Sequence, residues 1–150
     1  AREAGKTIQK NELVYVQAGD AGYNRNVLTT PGVHVLTDVH TSPKDGFDRY
    51  CAQLAAERMI GVNLSARPLV ELRDIAKQKV IRRYEEIFTL QNRYEFPLVL
   101  SSHATDITHL KSPREMIRLF SLVWKEEEIL WRSLESIYRI KNRSGPVVEV

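Results

Sequence analysis

PLVLS, at residues 97–101, is a continuous apolar run that begins with a proline and ends with a serine. Such a run is typical of a parallel strand that is covered on both faces, because helices pack against both sides of a parallel sheet. Three more strands are predicted before it, at residues 13–18 (LVYVQA), 33–39 (VHVLTDV) and 60–64 (IGVNL). Parallel strands need long crossover connections, so the chain is predicted to be an α/β protein with a mainly parallel sheet.

Helical periodicity separates these strands. Apolar residues recur at three- and four-residue spacing from Phe47, and again in a longer helix that ends before residue 97. Residues 65–68 are predicted to be a loop. Ser112, Pro113 and Glu115 then form a helix-start signal.

The last predicted helix is expected to end at Gly145 and Pro146. With 150 residues and 43% hydrophobic content, the chain has the size of one domain, predicted over residues 1–150 with a tail at 144–150. Residues 1–11 are polar and lead directly into a strand, so we expect an upstream portion of the protein to be missing here.

The composition indicates an intracellular protein. No apolar stretch approaches the roughly 20 residues that cross a bilayer. No signal-peptide pattern opens the sequence, and Cys51 is the single cysteine. Cys51 falls on the apolar stripe of its predicted helix, so it is interpreted as a small buried hydrophobic residue rather than a nucleophile.

Positive charge is concentrated in residues 67–83. Two carboxylates stand there against six cations, which are Arg67, Arg73, Lys77, Lys79, Arg82 and Arg83. Two interpretations stay open: a solvated helix face, or a surface for an anionic partner. Arg82 and Arg83 are expected to lie off the buried stripe of their helix, so that both could be replaced without loss of the fold.

Polar residues follow every predicted strand. They are Asp20, Asn24 and Arg25 after the first, His40 after the second, Ser65 and Arg67 after the third, and Ser102 and His103 after the fourth. The carboxyl ends of parallel strands meet at one edge, so we expect these side chains to converge there.

Few residue patterns indicate catalysis. Asp38 and His40 could point to one side of a turn and hold a metal together with Asp20 and His103, but further ligands are sparse. No glycine-rich phosphate loop is present in the sequence. Trp124 and Trp131 would share a side if one helix ran through both, and packing is the expected role.

Several short motifs occur in an order that resembles a known family, the barrel subunit of ribonuclease P, called protein component 3 in archaea and the thirty-kilodalton subunit in eukaryotes. The motifs are Gly19-Asp20 with Asn24-Arg25, Val35-Leu36 with His40, Gly46-Phe47, Val62-Asn63-Leu64-Ser65, Arg93-Tyr94, PLVLSS at 97–102 and LKSPRE at 110–115. The resemblance extends from about Leu13 to Leu134. It departs from the family at His103, where a small residue is common, and in lacking the usual further strands at the start.

The resemblance implies a fold and a set of partners. The fold would be a TIM-barrel-like one, related to polymerase and histidinol phosphatase metal-dependent hydrolases, here a partial barrel without its N-terminal strands. Cleavage would be done by ribonuclease P RNA and its magnesium, with no cofactor, metal or catalytic residue on this subunit. The partners would be that RNA, precursor tRNA, the ferredoxin-like protein component 2 and other ribonuclease P proteins, and no membrane. The location would be cytoplasmic in an archaeon, which is favoured, or nuclear in a eukaryote.

Three hypotheses follow. In the first, an RNA-binding scaffold, the candidate contacts are Asn24, Arg25, His40, Arg67, Lys77, Arg82, Arg83, His103, Lys111 and Arg114. The second is a small metal-dependent phosphoesterase that uses Asp20, Asp38, His40 and His103. The third is an interaction domain that docks another protein through an open sheet edge.

Overall fold

Four short strands form the centre of the fold in the computed structural model, which describes residues 13–102 and 112–148. They are β1 (Tyr15–Gln17), β2 (Val35–Thr37), β3 (Gly61–Ser65) and β4 (Leu98–Ser101). The strands pair in this order, and every pair is parallel. Three predicted strands contain an observed strand, and the predicted strand at residues 60–64 overlaps β3, which extends one residue further to Ser65. The α/β class with a parallel sheet is confirmed.

Helices follow each strand. They are α1 (Ala21–Thr29) after β1; a 3₁₀ turn (Val39–Thr41) and α2 (Arg49–Arg58) after β2; α3 (Arg67–Glu71) and α4 (Asp74–Tyr94) after β3; and α5 (Pro113–Phe120) and α6 (Glu127–Val148) after β4. The helix-start signal at Ser112 is confirmed, because its hydroxyl accepts a hydrogen bond from the Glu115 N–H at 3.2 Å. Within the described residues, no helix is both long and apolar enough to cross a membrane.

Two helices were not predicted. α1 begins where the Asp20 carboxylate accepts a hydrogen bond from the Tyr23 N–H at 2.8 Å. Its buried residues are Asn24, Val27 and Leu28, and a stripe with an amide in it is too short to detect by apolar periodicity. α3 occupies part of the stretch predicted as a loop, because Pro68 lies in its first turn, where the missing N–H breaks no helical hydrogen bond.

The end of the chain also differs from the prediction. α6 passes Gly145 and Pro146 and continues to Val148, so residues 144–148 of the predicted tail are helical. Proline removes one hydrogen bond to the carbonyl four residues earlier, and a helix can continue past that local defect. One helix does not run through both tryptophans: Trp124 precedes α6 and stacks on Phe88, with ring centroids 5.4 Å apart.

The two faces of the sheet are covered differently. Leu36, Val62 and Leu98 belong to the main core that the helices bury. The opposite face carries a smaller cluster of Val35 and Val99 with Ile140 of α6. A Cβ on Gly61 would lie 2.7 Å from Ile140 Cδ1 and 2.9 Å from Val99 Cγ2, so the glycine allows α6 to lie close to this face.

Candidate functional site

A row of hydrogen-bonded polar side chains crosses the carboxyl end of the sheet, on the face that carries Val35 and Val99. The Thr37 hydroxyl donates to Asn63 Oδ1 at 2.9 Å, and Asn63 Nδ2 donates to Ser101 Oγ at 2.9 Å and to the Val99 carbonyl at 3.0 Å. Asn63 is 1% exposed. Through these hydrogen bonds it joins β3 to both neighbouring strands, β2 and β4. Sequence reasoning missed this bridge, although an asparagine inside a buried strand is a signal for one.

His40 and Ser65 meet at Tyr84, just beyond these strand ends. The Tyr84 hydroxyl donates to the Ser65 carbonyl at 2.8 Å, and the His40 ring lies edge-on to the Tyr84 ring at 5.9 Å. Burial raises the pKa of Tyr84 far above its usual range; the Ser65 hydrogen bond acts against the shift, and the charge of Asp38 adds to it. The phenol therefore stays protonated and acts as a packing and hydrogen-bonding group.

Asn24, a predicted contact residue, is fully buried and holds two loops together. Its Oδ1 accepts a hydrogen bond from the Gly19 N–H at 2.7 Å, and its Nδ2 donates to the Gly19 carbonyl at 3.0 Å and the Gly46 carbonyl at 2.8 Å. The loop after β1 is thereby joined to the loop after β2. With its amide used in this way, Asn24 is a structural link between the two loops.

Arg25 lies at the surface between α1 and α2. Its guanidinium donates to Asp48 at 2.7 Å and lies 5.0 Å from the centre of the exposed Tyr50 ring. Burial acts to raise the pKa of Asp48, but hydrogen bonds from the Cys51 N–H and from Arg25 outweigh it and hold that pKa below its usual value. Asp48 also begins α2, since its other carboxylate oxygen accepts from the Cys51 N–H at 3.0 Å.

The cations of α4 fall into two groups. Lys79 and Arg82 are exposed, and Lys77 is half-buried. Arg83 instead has a side chain only 19% exposed, and its guanidinium donates to the carbonyls of Ser42 and Lys44. Both arginines lie off the stripe of buried residues, as expected, but the long side chain of Arg83 reaches back over the loop after β2 and is largely covered there.

The remaining candidates lie apart from one another along the chain. Arg67 begins α3 and pairs with Glu71 at 2.9 Å, and its backbone N–H donates to Ser65 Oγ at 3.1 Å. Arg114 is exposed in the first turn of α5. His103 and Lys111 lie outside the described residues, so their predicted roles stay predictions.

Groups with potential reactivity are few. Within residues 13–102 and 112–148, no three His, Cys, Asp or Glu side chains are grouped so that they could hold a metal. Cys51 is buried, as predicted, and burial raises the pKa of its thiol. Its Sγ lies 3.7 Å from the Gly46 carbonyl, which is a packing contact in the same loop that Asn24 holds.

The loop at residues 42–46 (SPKDG) is a feature that sequence reasoning missed. The sequence pattern singled out only Gly46 of this loop, as part of the Gly46-Phe47 motif. In the structure the loop is fixed between Asn24 and Arg83, and Lys44 is exposed at its tip. A lysine in a Pro-Lys-Asp-Gly turn was the available signal, because such turns project their central residues into solvent.

Comparison with known proteins gives consistent similarities. The family model described as RNase P subunit p30 matches residues 1–128. Ribonuclease P protein component 3 of Methanosarcina mazei is 27% identical over 145 residues, which are 95% of this chain and 61% of that protein. The protein of the same name from Methanothermobacter thermautotrophicus is 28% identical over 136 residues, 90% of this chain and 56% of that one. The chain thus spans about three fifths of the length of these curated relatives.

A solved structure has the same fold. A chain in the cryo-EM structure of archaeal Ribonuclease P with mature tRNA superimposes with a TM-score of 0.84 and 18% sequence identity. The match covers 99% of this chain and 65% of that chain. At this level of identity the similarity establishes the fold.

Proposed function

The chain belongs to the RNase P subunit p30 family, and on that basis we propose that it is a protein subunit of ribonuclease P, the ribonucleoprotein that removes the 5′ leader of precursor tRNA. The observation that carries the proposal is the match of the family model to residues 1–128. The likeness of the fold to a chain of archaeal Ribonuclease P supports it.

In this proposal the subunit binds and supports RNA and leaves the cleavage to the RNA. The side chains at the carboxyl end of the sheet favour such a role. Asn24, Asn63 and Tyr84 use their polar atoms to hold strands and loops together. Exposed cations such as Lys79 and Arg82 are free to approach phosphates, which attract lysine and arginine irrespective of base sequence.

We also propose the finer features that the family resemblance implies. The described sheet would be part of a TIM-barrel-like fold, for which four parallel strands in sequential order are suitable. The protein partners would be the ferredoxin-like protein component 2 and other ribonuclease P subunits. Magnesium would reside on the RNA, and the complex would be cytoplasmic.

The test is reconstitution. The purified chain with precursor tRNA and magnesium should give no 5′ cleavage. Added to ribonuclease P RNA and the other protein subunits of Methanosarcina mazei, from which component 3 has been left out, the chain should raise the rate of leader removal. A mixture without the chain is the control, and no rise over it would contradict the proposal.

The metal-dependent phosphoesterase is the alternative that this experiment also tests. Cleavage by the chain alone that His40→Ala abolishes would favour it, since His40 is the described histidine in that hypothesis. Metal analysis of protein purified without chelator gives an independent readout. A stoichiometric transition metal or magnesium ion, lost together with activity, would overturn the scaffold role.

A further inference from the structure

We propose that the loop at residues 42–46 and the adjoining side of α4 form one surface for the phosphate backbone of folded RNA. On this surface Lys44 is a contact residue, and Arg83 is a positioning residue that holds Lys44 in place. The inference rests on the proposed function, because it takes RNA as the partner.

The loop is a tight turn with a lysine at its corner. The Gly46 N–H donates to the Pro43 carbonyl at 2.8 Å, which leaves Lys44 and Asp45 as the two central residues of the turn. A Cβ on Gly46 would lie 2.6 Å from Ser42 Cβ, so only glycine fits there. Lys44 is exposed.

Two side chains hold this loop by alternate carbonyl groups. Arg83 donates to the carbonyls of Ser42, at 2.9 Å, and of Lys44, and Asn24 donates to that of Gly46 at 2.8 Å. A guanidinium is suited to this work, since its planar fork can donate to two acceptors at once. The backbone of Lys44 is therefore fixed to α4, and less conformational entropy is lost when its side chain binds a ligand.

The charges around Arg83 and the loop that it holds favour an anionic partner. Lys79 lies one helical turn before Arg83 on the same side of α4, and Arg82 is next to it. The carboxylates of the loop and of this stretch of α4 are Asp45, Glu85, which is three residues after Arg82, and Glu86, 3.7 Å from Arg83. In the described part of the chain, no ion pair engages Lys44, Lys79 or Arg82, and the cations of the surface outnumber its carboxylates.

RNA fits this surface better than a protein does. A protein interface has an apolar or aromatic centre, whereas here the centre consists of lysine and arginine. The exposed Ile75 lies one turn before Lys79, at the end of the surface. No aromatic side chain of the loop could stack on an unpaired base, so a helical phosphate backbone is the expected ligand.

The first experiment measures binding of the chain to a fluorescently labelled RNA hairpin and to ribonuclease P RNA of Methanosarcina mazei over a series of salt concentrations. Lys44→Ala should weaken binding about three- to tenfold and reduce the salt slope by about one, as expected for one lost phosphate contact. Lys125→Ala, which removes an exposed lysine from the segment before α6, is the matched control and should change neither.

A double-mutant cycle then separates positioning from charge. Arg83→Lys keeps the charge but cannot hold both carbonyls in the same fork, so it should weaken binding in the unaltered chain. The same substitution in the Lys44→Ala background should have little further effect, because the residue that Arg83 positions is already gone. Full additivity would overturn the positioning role, and thermal unfolding of each variant verifies the fold.

The outcomes distinguish this inference from the proposed function. If the chain binds RNA and Lys44→Ala leaves affinity and salt slope unchanged, the surface is overturned while the proposed function stands. If Lys44→Ala weakens only binding of the protein subunits, the loop is a protein interface and the inference is wrong. If the unaltered chain does not bind RNA even with those subunits, both are overturned.

Discussion

His34 makes the stability of the fold depend on pH through one hydrogen bond. Its Nδ1 accepts from the Val14 N–H at 2.9 Å, so this nitrogen has to be unprotonated. Burial lowers the pKa of His34 from its ordinary value of 6.5. The unfolded chain therefore holds the proton more tightly than the folded chain does. The contribution of His34 to the free energy of unfolding is fully present above about pH 6.5 and is lost as the pH falls through the lowered pKa.

His34→Gln should remove this contribution, because an amide oxygen can still accept the Val14 hydrogen bond but does not titrate. Urea unfolding at about pH 7.5 and about pH 5 measures the effect. The unaltered chain should lose more stability between the two conditions than the variant does. Equal losses would mean that His34 remains unprotonated over the whole range or does not contribute.

Position 24 is expected to tolerate neither removal of the amide group nor its replacement by a charged group. Asn24→Asp has almost the same shape, but its carboxylate would face the carbonyls of Gly19 and Gly46 without a hydrogen to donate. At neutral pH we expect a loss of about 3 kcal/mol, because a buried charge is left unpaired.

The pH dependence of that variant checks the cause. Burial and the facing carbonyls should raise the pKa of the new carboxyl above its unfolded value of about 3.9. Stability should therefore be recovered below about pH 4 and lost as the pH rises through the raised value. Asn24→Ala, which has no titratable group, is the control, and the same pH profile in both variants would contradict this account.

Helix α4 carries exposed cations, such as Arg82, and one largely covered cation, Arg83, which bonds to the loop. Substitution of each should affect the free energy of unfolding differently. Arg82→Gln should change the free energy of unfolding by less than about 0.5 kcal/mol, as is usual for an exposed surface residue. Arg83→Gln should cost about 1.5–3 kcal/mol, the usual range for hydrogen bonds made by a charged group. Urea unfolding measures both, and equal midpoints for the two variants would mean that the bonds to the loop do not stabilise the fold.

The elements that could be predicted are those in which a regular apolar pattern extends over many residues. α4 has Val80, Tyr84 and Ile87 at regular helical spacing, and the strand at residues 97–101 is continuously apolar. α1 escaped detection because an asparagine replaces an apolar residue on its buried side, and that asparagine is there to bond Gly46, 22 residues away. A tertiary contact of this kind leaves no local signal.

The same reason limits the prediction of the site. His40 and Ser65 were expected at the carboxyl ends of the strands because topology alone places them there. The hydrogen bonds from Arg83 to the loop at residues 42–46 depend on the conformation of one long side chain. The spacing of residues along α4 does not determine that conformation. Charge clustering therefore indicated the basic stretch of α4 but could not show that Arg83 bonds to the loop carbonyls.

At the scale of the whole molecule, β1 is an edge strand of the sheet that the described residues form. Backbone groups alternate along a strand, and the Val14 carbonyl and Ala18 N–H bond to β2, so those of Tyr15 and Gln17 point the other way. In the described part of the chain β1 has no strand on that second side. The Tyr15 side chain is 43% exposed, which adds apolar surface to the open edge.

An open parallel edge is a template for another strand, so we expect the chain to self-associate as its concentration rises, or to gain stability when a partner subunit covers β1. Gln17→Pro should weaken self-association about tenfold or more, because proline removes the outward N–H and is tolerated on an edge strand. Sedimentation velocity over a range of concentrations measures the change.

Gln17→Thr is the matched control for this substitution, since threonine keeps the N–H and favours strand geometry. It should associate like the unaltered chain, whereas a general effect of losing the Gln17 side chain would appear in both variants. The bonds from Val14 and Ala18 to β2 are untouched by either change, so both variants should retain the circular dichroism spectrum of the unaltered chain. A chain that stays monomeric at every concentration, and that melts at the same temperature with and without the other ribonuclease P proteins, would exclude β1 as an interaction edge.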